Sequence, residues 1–188
     1  MAGRLARLAR PKTDATVTVM KKAILSVLCT LLATGPASAG ELVGGLYVHD
    51  VDTPLTKSGI ESGVDVELGY RWDRIGRTPL QPYAFGALNT NGETSYAAVG
   101  LSAKFGARFF VRPGLGIAIH NGSDDKFNRT DRIAFGSRIL FEPELGIGYQ
   151  LSDRASLEAS WVHMSHAQLF GRQNPGIDNI GARLSWKL

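Results

Sequence analysis

The chain has 188 residues, a length for one domain, with 21 Lys and Arg against 17 Asp and Glu. Six of the basic residues and one of the acids precede Gly40, which leaves 15 against 16 beyond it. A nearly neutral remainder gives no reason to propose a nucleic acid as partner, and with Cys29 also before Gly40 it excludes thiol catalysis and disulfides.

Residues 1–39 read as a leader. Met20-Lys21-Lys22 precedes an apolar run over 23–33, and Pro36-Ala37-Ser38-Ala39 supplies a small-x-small cleavage pattern. This predicts a secretory signal peptide over 20–39, its apolar run too short to span a bilayer, preceded over 1–19 by an upstream misread start or an extended basic n-region, the former preferred. Leu28 is not the small residue that a lipoprotein signal needs before its cysteine. One domain, 40–188, follows.

From Leu42 onward the pattern predicts strands and no helical period. The first covers 42–48, and 49–59 is a loop. The second, 60–72, alternates Ile60, Ser62, Val64, Val66, Leu68, Tyr70 and Trp72 with Glu61, Gly63, Asp65, Glu67, Gly69 and Arg71. The third covers 80–88, Asn91-Gly92 marks a hairpin turn, and the fourth covers 94–105. The fifth, 108–120, is interrupted by Pro113-Gly114, where a bulge is expected. After a polar loop the sixth, 132–150, is interrupted at Glu142-Pro143, and the seventh and eighth run through Trp161 and from Asp178 to the end.

Eight strands, with loops long on one side and short on the other apart from the loop after the third, predict an all-β, antiparallel, up-and-down transmembrane β-barrel of the outer membrane. Tyr47, Tyr70, Trp72, Trp161 and Trp186 suit interfacial girdles, and 22 glycines suit a narrow interior. A soluble barrel or sandwich alternates as well; the leader and the apolar last strand favour the membrane. The final residue, Leu188, departs from the aromatic that commonly ends such strands.

His163 and His166 point to opposite faces of a strand, so they cannot chelate one ion and no metal is expected there. His49 and His120 are expected to be surface or lumen polar residues without a recognisable partner. Asp65, Glu67, Arg138, Glu142 and Glu158 are expected as interior charges. His163 and Ser165, by contrast, share the apolar face of Leu157, Ala159 and Trp161, and Asp178 shares that of Ile180, Ala182 and Leu184. If the last two strands pair with His163 opposite Asp178, their Cβ atoms stand about 5 Å apart. Base, nucleophile and orienting acid would then meet for acyl transfer. The plainer alternative is that these three simply lie at headgroup level, where polar side chains cost little.

His163-Met164-Ser165 followed by Asn174-Pro175-Gly176-Ile177-Asp178 resembles the lipid A 3-O-deacylase family, whose members are also labelled acyloxyacyl hydrolase family proteins. His49-Asp50-Val51-Asp52, 63–70 and 114–122 resemble its alphaproteobacterial branch. The resemblance implies a carboxylic ester hydrolase of the Gram-negative outer membrane that removes the 3-O acyl chain of lipid A, the lipid anchor of lipopolysaccharide, without a cofactor. It implies His163 as base, Ser165 as nucleophile, and Asp178 where family members carry Glu. His166 stands where the family places an oxyanion-hole Asn, and the spacing from Ser165 to Asp178 is one residue longer than the pattern. The resemblance leaves the oligomeric state open, a homo-oligomer included. Rival readings are a non-catalytic small barrel and an esterase on another membrane lipid.

Overall fold

A computed structural model describes residues 40–56, 59–125, 132–169 and 175–188. The leader over 1–39 and Asn174 lie outside them. The described residues form eight antiparallel strands: β1 (Glu41–Val48), β2 (Val64–Arg71), β3 (Leu80–Asn89), β4 (Tyr96–Ala103, resumed at Phe105–Gly106), β5 (Phe109–His120), β6 (Ile139–Gln150), β7 (Ala155–Met164) and β8 (Ile177–Lys187). Each pairs with its sequence neighbours, and β1 pairs with β8, so the sheet closes. Glu41 lies opposite Lys187, which puts both ends of the described domain at one rim.

The period-two pattern explains the two faces. Leu46, Val66, Val99, Leu115, Ile117 and Ile147 point outward at 47–62 % exposure, forming an apolar belt around the barrel. Asp65, Glu67, Arg71, Arg112, Glu158 and Arg183 point inward and are buried. A soluble barrel would place these sets the other way round, so the belt is a lipid-facing surface.

The interior is held by ion pairs. Arg183 donates to Glu67 through Nε at 2.8 Å and Nη2 at 3.1 Å, and to Glu144 through Nη1 at 2.7 Å. Arg112 lies 3.2 Å from Glu158, and Arg71 donates to Glu41 at 3.1 Å. Tyr83 donates to Glu142. Asp65, Glu67, Glu142 and Glu158 are thus interior, as expected, whereas Arg138 is on the surface with Asp124, 2.8 Å away. Tyr47 also differs from expectation: it shares the inward parity of Val43 and is 1 % exposed against Arg183, so it belongs to the interior and not to a girdle.

Three strand limits shift for local reasons. β2 starts at Val64 because Gly63 has φ +111°, which breaks the extended run. β4 starts at Tyr96 because Thr94 and Ser95 send their N–H groups to Glu61 and Asn121 side chains. β6 starts at Ile139, and Arg132 to Ser137 belong to the preceding loop. Neither proline pair makes a bulge, since β5 and β6 keep one register from Phe109↔Tyr149 to Ile119↔Ile139. The interruption appears on the other side of each strand. The β6–β7 ladder ends at Glu144↔Val162 and is met again at Phe141↔Ser165, so its register sets Pro143, which lacks an N–H, opposite His163.

Candidate active site

The site lies where β7 and β8 reach the rim opposite the chain ends. The β7–β8 register pairs Trp161 with Ile180, His163 with Asp178 and Met164 with Ile177. Two residues beyond Trp161, His163 keeps the outward direction of that column. Ser165 follows past the end of β7 and is fixed by two backbone bonds to Phe141, Phe141 N–H to Ser165 O at 2.8 Å and Ser165 N–H to Phe141 O at 3.1 Å. The nucleophile candidate therefore sits on a braced backbone beside the gap left by Pro143.

The side chains form a continuous chain of hydrogen bonds. Ser165 Oγ–H donates to His163 Nε2 at 3.0 Å, and His163 Nδ1–H donates to Asp178 Oδ1 at 2.8 Å. These directions follow from the partners, since only a proton on Nδ1 serves the carboxylate and leaves Nε2 free to accept. Asp178 is fully buried and Ser165 is 5 % exposed, while the His163 side chain keeps 11 %. The arrangement can move a proton from hydroxyl to imidazole while a fixed carboxylate supports the resulting charge.

Two further residues hold the acid. Trp161 Nε1–H donates to Asp178 Oδ1 at 2.9 Å, and Thr53 Oγ1–H donates to Asp178 Oδ2. Thr53 arrives on the loop between β1 and β2, which is docked by Val51 N–H to Asp178 O at 2.8 Å and by Asp50 N–H to Asn179 Oδ1 at 3.1 Å. Gly176 lets the chain pass over the imidazole: a Cβ there would stand 2.9 Å from His163 Cε1. Any other residue at 176 would push on the imidazole.

His163, Ser165 and Asp178 are thus brought together from the sequence-predicted set. His166 is buried with its imidazole against the loop before β6, where a Cβ added at Gly136 would lie 3.5 Å from Nε2. His49, expected without a partner, is buried and paired with two carboxylates: Nδ1 lies 2.9 Å from Asp65 and Nε2 3.1 Å from Glu61. Burial opposes its charged form, yet the hydrogen bonds it donates to Asp65 and Glu61 prevail and raise its pKa from 6.5 to about 9. His120 Nε2–H donates to Ser137 O at 2.7 Å.

A comparison with curated protein sequences finds no significant match. Among solved structures, the crystal structure of the outer membrane enzyme PagL superposes with a TM-score of 0.53 at 19 % identity, covering 79 % of this chain and 99 % of that one. Neisserial surface protein A gives 0.53 at 14 % identity, covering 79 % and 97 %, and a de novo designed transmembrane β-barrel gives 0.51 at 12 %, covering 81 % and 98 %. At such identities the likeness establishes the barrel alone. The model of the lipid A 3-O-deacylase (PagL) family, however, matches residues 58–187, which hold His163, Ser165 and Asp178. By that match the chain belongs to the lipid A 3-O-deacylase family of the outer membrane.

Proposed function

We propose that this protein is exported by the signal peptide over 20–39 and hydrolyses the 3-O-linked acyl chain of lipid A through Ser165, His163 and Asp178. The observation that carries the reading is the Ser165–His163–Asp178 chain, with links of 3.0 and 2.8 Å, on the lipid side of the barrel at its rim. An ester at the junction of headgroup and acyl chain meets the site there without leaving the membrane.

In the proposed mechanism Ser165 Oγ attacks the ester carbonyl while its proton passes to His163 Nε2. The tetrahedral intermediate collapses, the C–O bond to the sugar breaks, and His163 returns the proton to the departing 3-hydroxyl. An acyl-Ser165 remains. Water, activated by His163, then attacks it to release the fatty acid and restore Ser165. Asp178 keeps Nδ1 protonated throughout and stabilises the imidazolium. His166, the residue after the nucleophile, is the proposed oxyanion donor. The reaction is complete within one chain.

The test is mass spectrometry of lipid A after incubation with the protein, wild type against Ser165→Ala. The expected result is loss of one hydroxyacyl mass with the wild type, and a fall of about a thousandfold or more for the variant. An unchanged lipid A with folded wild type would overturn the substrate, and an active Ser165→Ala protein would overturn the nucleophile.

A further inference from the structure

A second constellation lies at the same rim but outside the acyl-transfer chain. His49 at the end of β1, Glu61 in the loop before β2 and Glu93 in the loop between β3 and β4 each bring one ligand atom to within 4.8 Å of the other two. His49 and Glu61 are buried, at 2 % and 4 % exposure, and Glu93 is half-buried. The imidazole is oriented from behind: Asp65 Oδ2 lies 2.9 Å from Nδ1, leaving Nε2 directed at Glu61, 3.1 Å away. A carboxylate on the far nitrogen is the support that metal-binding histidines characteristically have.

Thr94 adds to the polar lining: its hydroxyl is fully buried against the Glu61 carboxylate. Three carboxylates, Glu61, Asp65 and Glu93, also meet around one imidazole, an excess of negative charge in a largely dry place. One nitrogen and two carboxylate oxygens form a donor set suited to zinc. Tetrahedral zinc needs ligand atoms roughly 3.3–3.6 Å apart, and the three atoms, all within 4.8 Å of one another, lie close to that spacing.

We propose that His49, Glu61 and Glu93 bind a zinc ion, with water completing its coordination, and that the ion fastens the loop between β1 and β2 to the barrel. The link to the active site is short. Asn179 Nδ2–H donates to the same Asp65 Oδ2 at 2.9 Å, Asp50 N–H donates to Asn179 Oδ1, and the loop that starts there carries Thr53 to Asp178. The ion would be structural, and none of its ligands belongs to the acyl-transfer chain.

The test uses the full folded protein purified from membranes, stripped with a chelator and titrated with zinc chloride against a fluorescent chelator. The wild type is expected to hold one zinc per chain at micromolar free zinc or below. Glu93→Gln, which keeps an acceptor for the Ser62 N–H, is expected to weaken binding by about 10–100-fold while the barrel stays folded by circular dichroism. Glu61→Gln is judged in the same way should the first variant not fold. No zinc retained by the wild type, or undiminished binding in the folded variant, would overturn the site. The readout is binding, so it stands or falls apart from deacylase activity.

Discussion

Thr53 is the residue whose loss would say most about how Asp178 is held. An aspartate is one methylene shorter than the family's usual glutamate, so its reach to His163 depends on being fixed. Three donors fix it: His163 Nδ1–H and Trp161 Nε1–H on Oδ1, and Thr53 Oγ1–H on Oδ2. Hydrogen bonds to charged groups contribute about 1.5–3 kcal/mol each. Thr53→Val is therefore expected to lower kcat roughly tenfold with KM unchanged, because it loosens the acid without touching the lipid, and Thr53→Ser to restore most of the rate. Steady-state kinetics decides it, and a rise in KM alone would show that Thr53 contacts substrate instead. The acid itself is more severe: Asp178→Asn is expected to drop kcat by about 10⁴ by admitting the wrong imidazole tautomer. Parity and hairpin register made the three-residue chain legible in the sequence, since residues opposite one another on one face must meet. Thr53 was illegible because it lies in an aperiodic loop 125 positions from Asp178. Trp161 reads as an interfacial aromatic, and that description fits its indole body while hiding the N–H that binds Asp178.

The loop between β1 and β2 is the element on which this support depends, and it is built around Asp50. That residue has φ +53°, and its Oδ2 accepts N–H bonds from Gly59 at 3.2 Å, Ile60 at 3.1 Å and Glu61 at 2.9 Å. Asp50→Ala removes the acceptor and places a Cβ-bearing residue without a polar side chain in the left-handed region, costing about 1–2 kcal/mol for the backbone alone. Faster protease cleavage within 49–63 is expected, together with a kcat loss matching that of Thr53→Val while the barrel remains folded. Asp50→Asn, at ease at positive φ, should lie between wild type and alanine. His49 gives the same loop a pH dependence in metal-free protein. Its pKa is raised from 6.5 to about 9, so its contribution is complete below pH 6.5 and fades as pH rises through about 9. Limited proteolysis at fixed protease activity should find the loop opening over that window; an opening on acidification from pH 6.5 to 5 would contradict the assignment. Alternation placed the strand cores correctly but ran β2 too far, to Ile60, because Glu61 keeps the charged parity. Its carboxylate in fact turns to His49 and to the N–H groups of Thr94 and Ile133. Periodicity cannot distinguish a ladder residue from one whose polar group is claimed by loops.

For the whole molecule, the governing contrast is between a charged interior and an apolar exterior, and the two faces answer mutation in opposite ways. Inside, Arg183 is bound by Glu67 and Glu144 and packs 4.5 Å from the Phe85 ring centre, so its removal leaves buried carboxylates uncompensated. Losses of that kind cost about 3–5 kcal/mol. Outside, Leu115 sits at the middle of β5 at 60 % exposure. If water covered that face, Leu115→Arg would be harmless or even favourable. With hydrocarbon covering it, the guanidinium is desolvated at the bilayer centre, and folding into vesicles should weaken by about 2–4 kcal/mol. Leu188→Arg, equally exposed at 65 % but at the rim, should cost only about 0–1 kcal/mol because its side chain reaches the interface. Urea titration of folding into phospholipid vesicles measures both. A depth-dependent difference places the belt in the membrane; equal, negligible effects would instead describe a barrel in water.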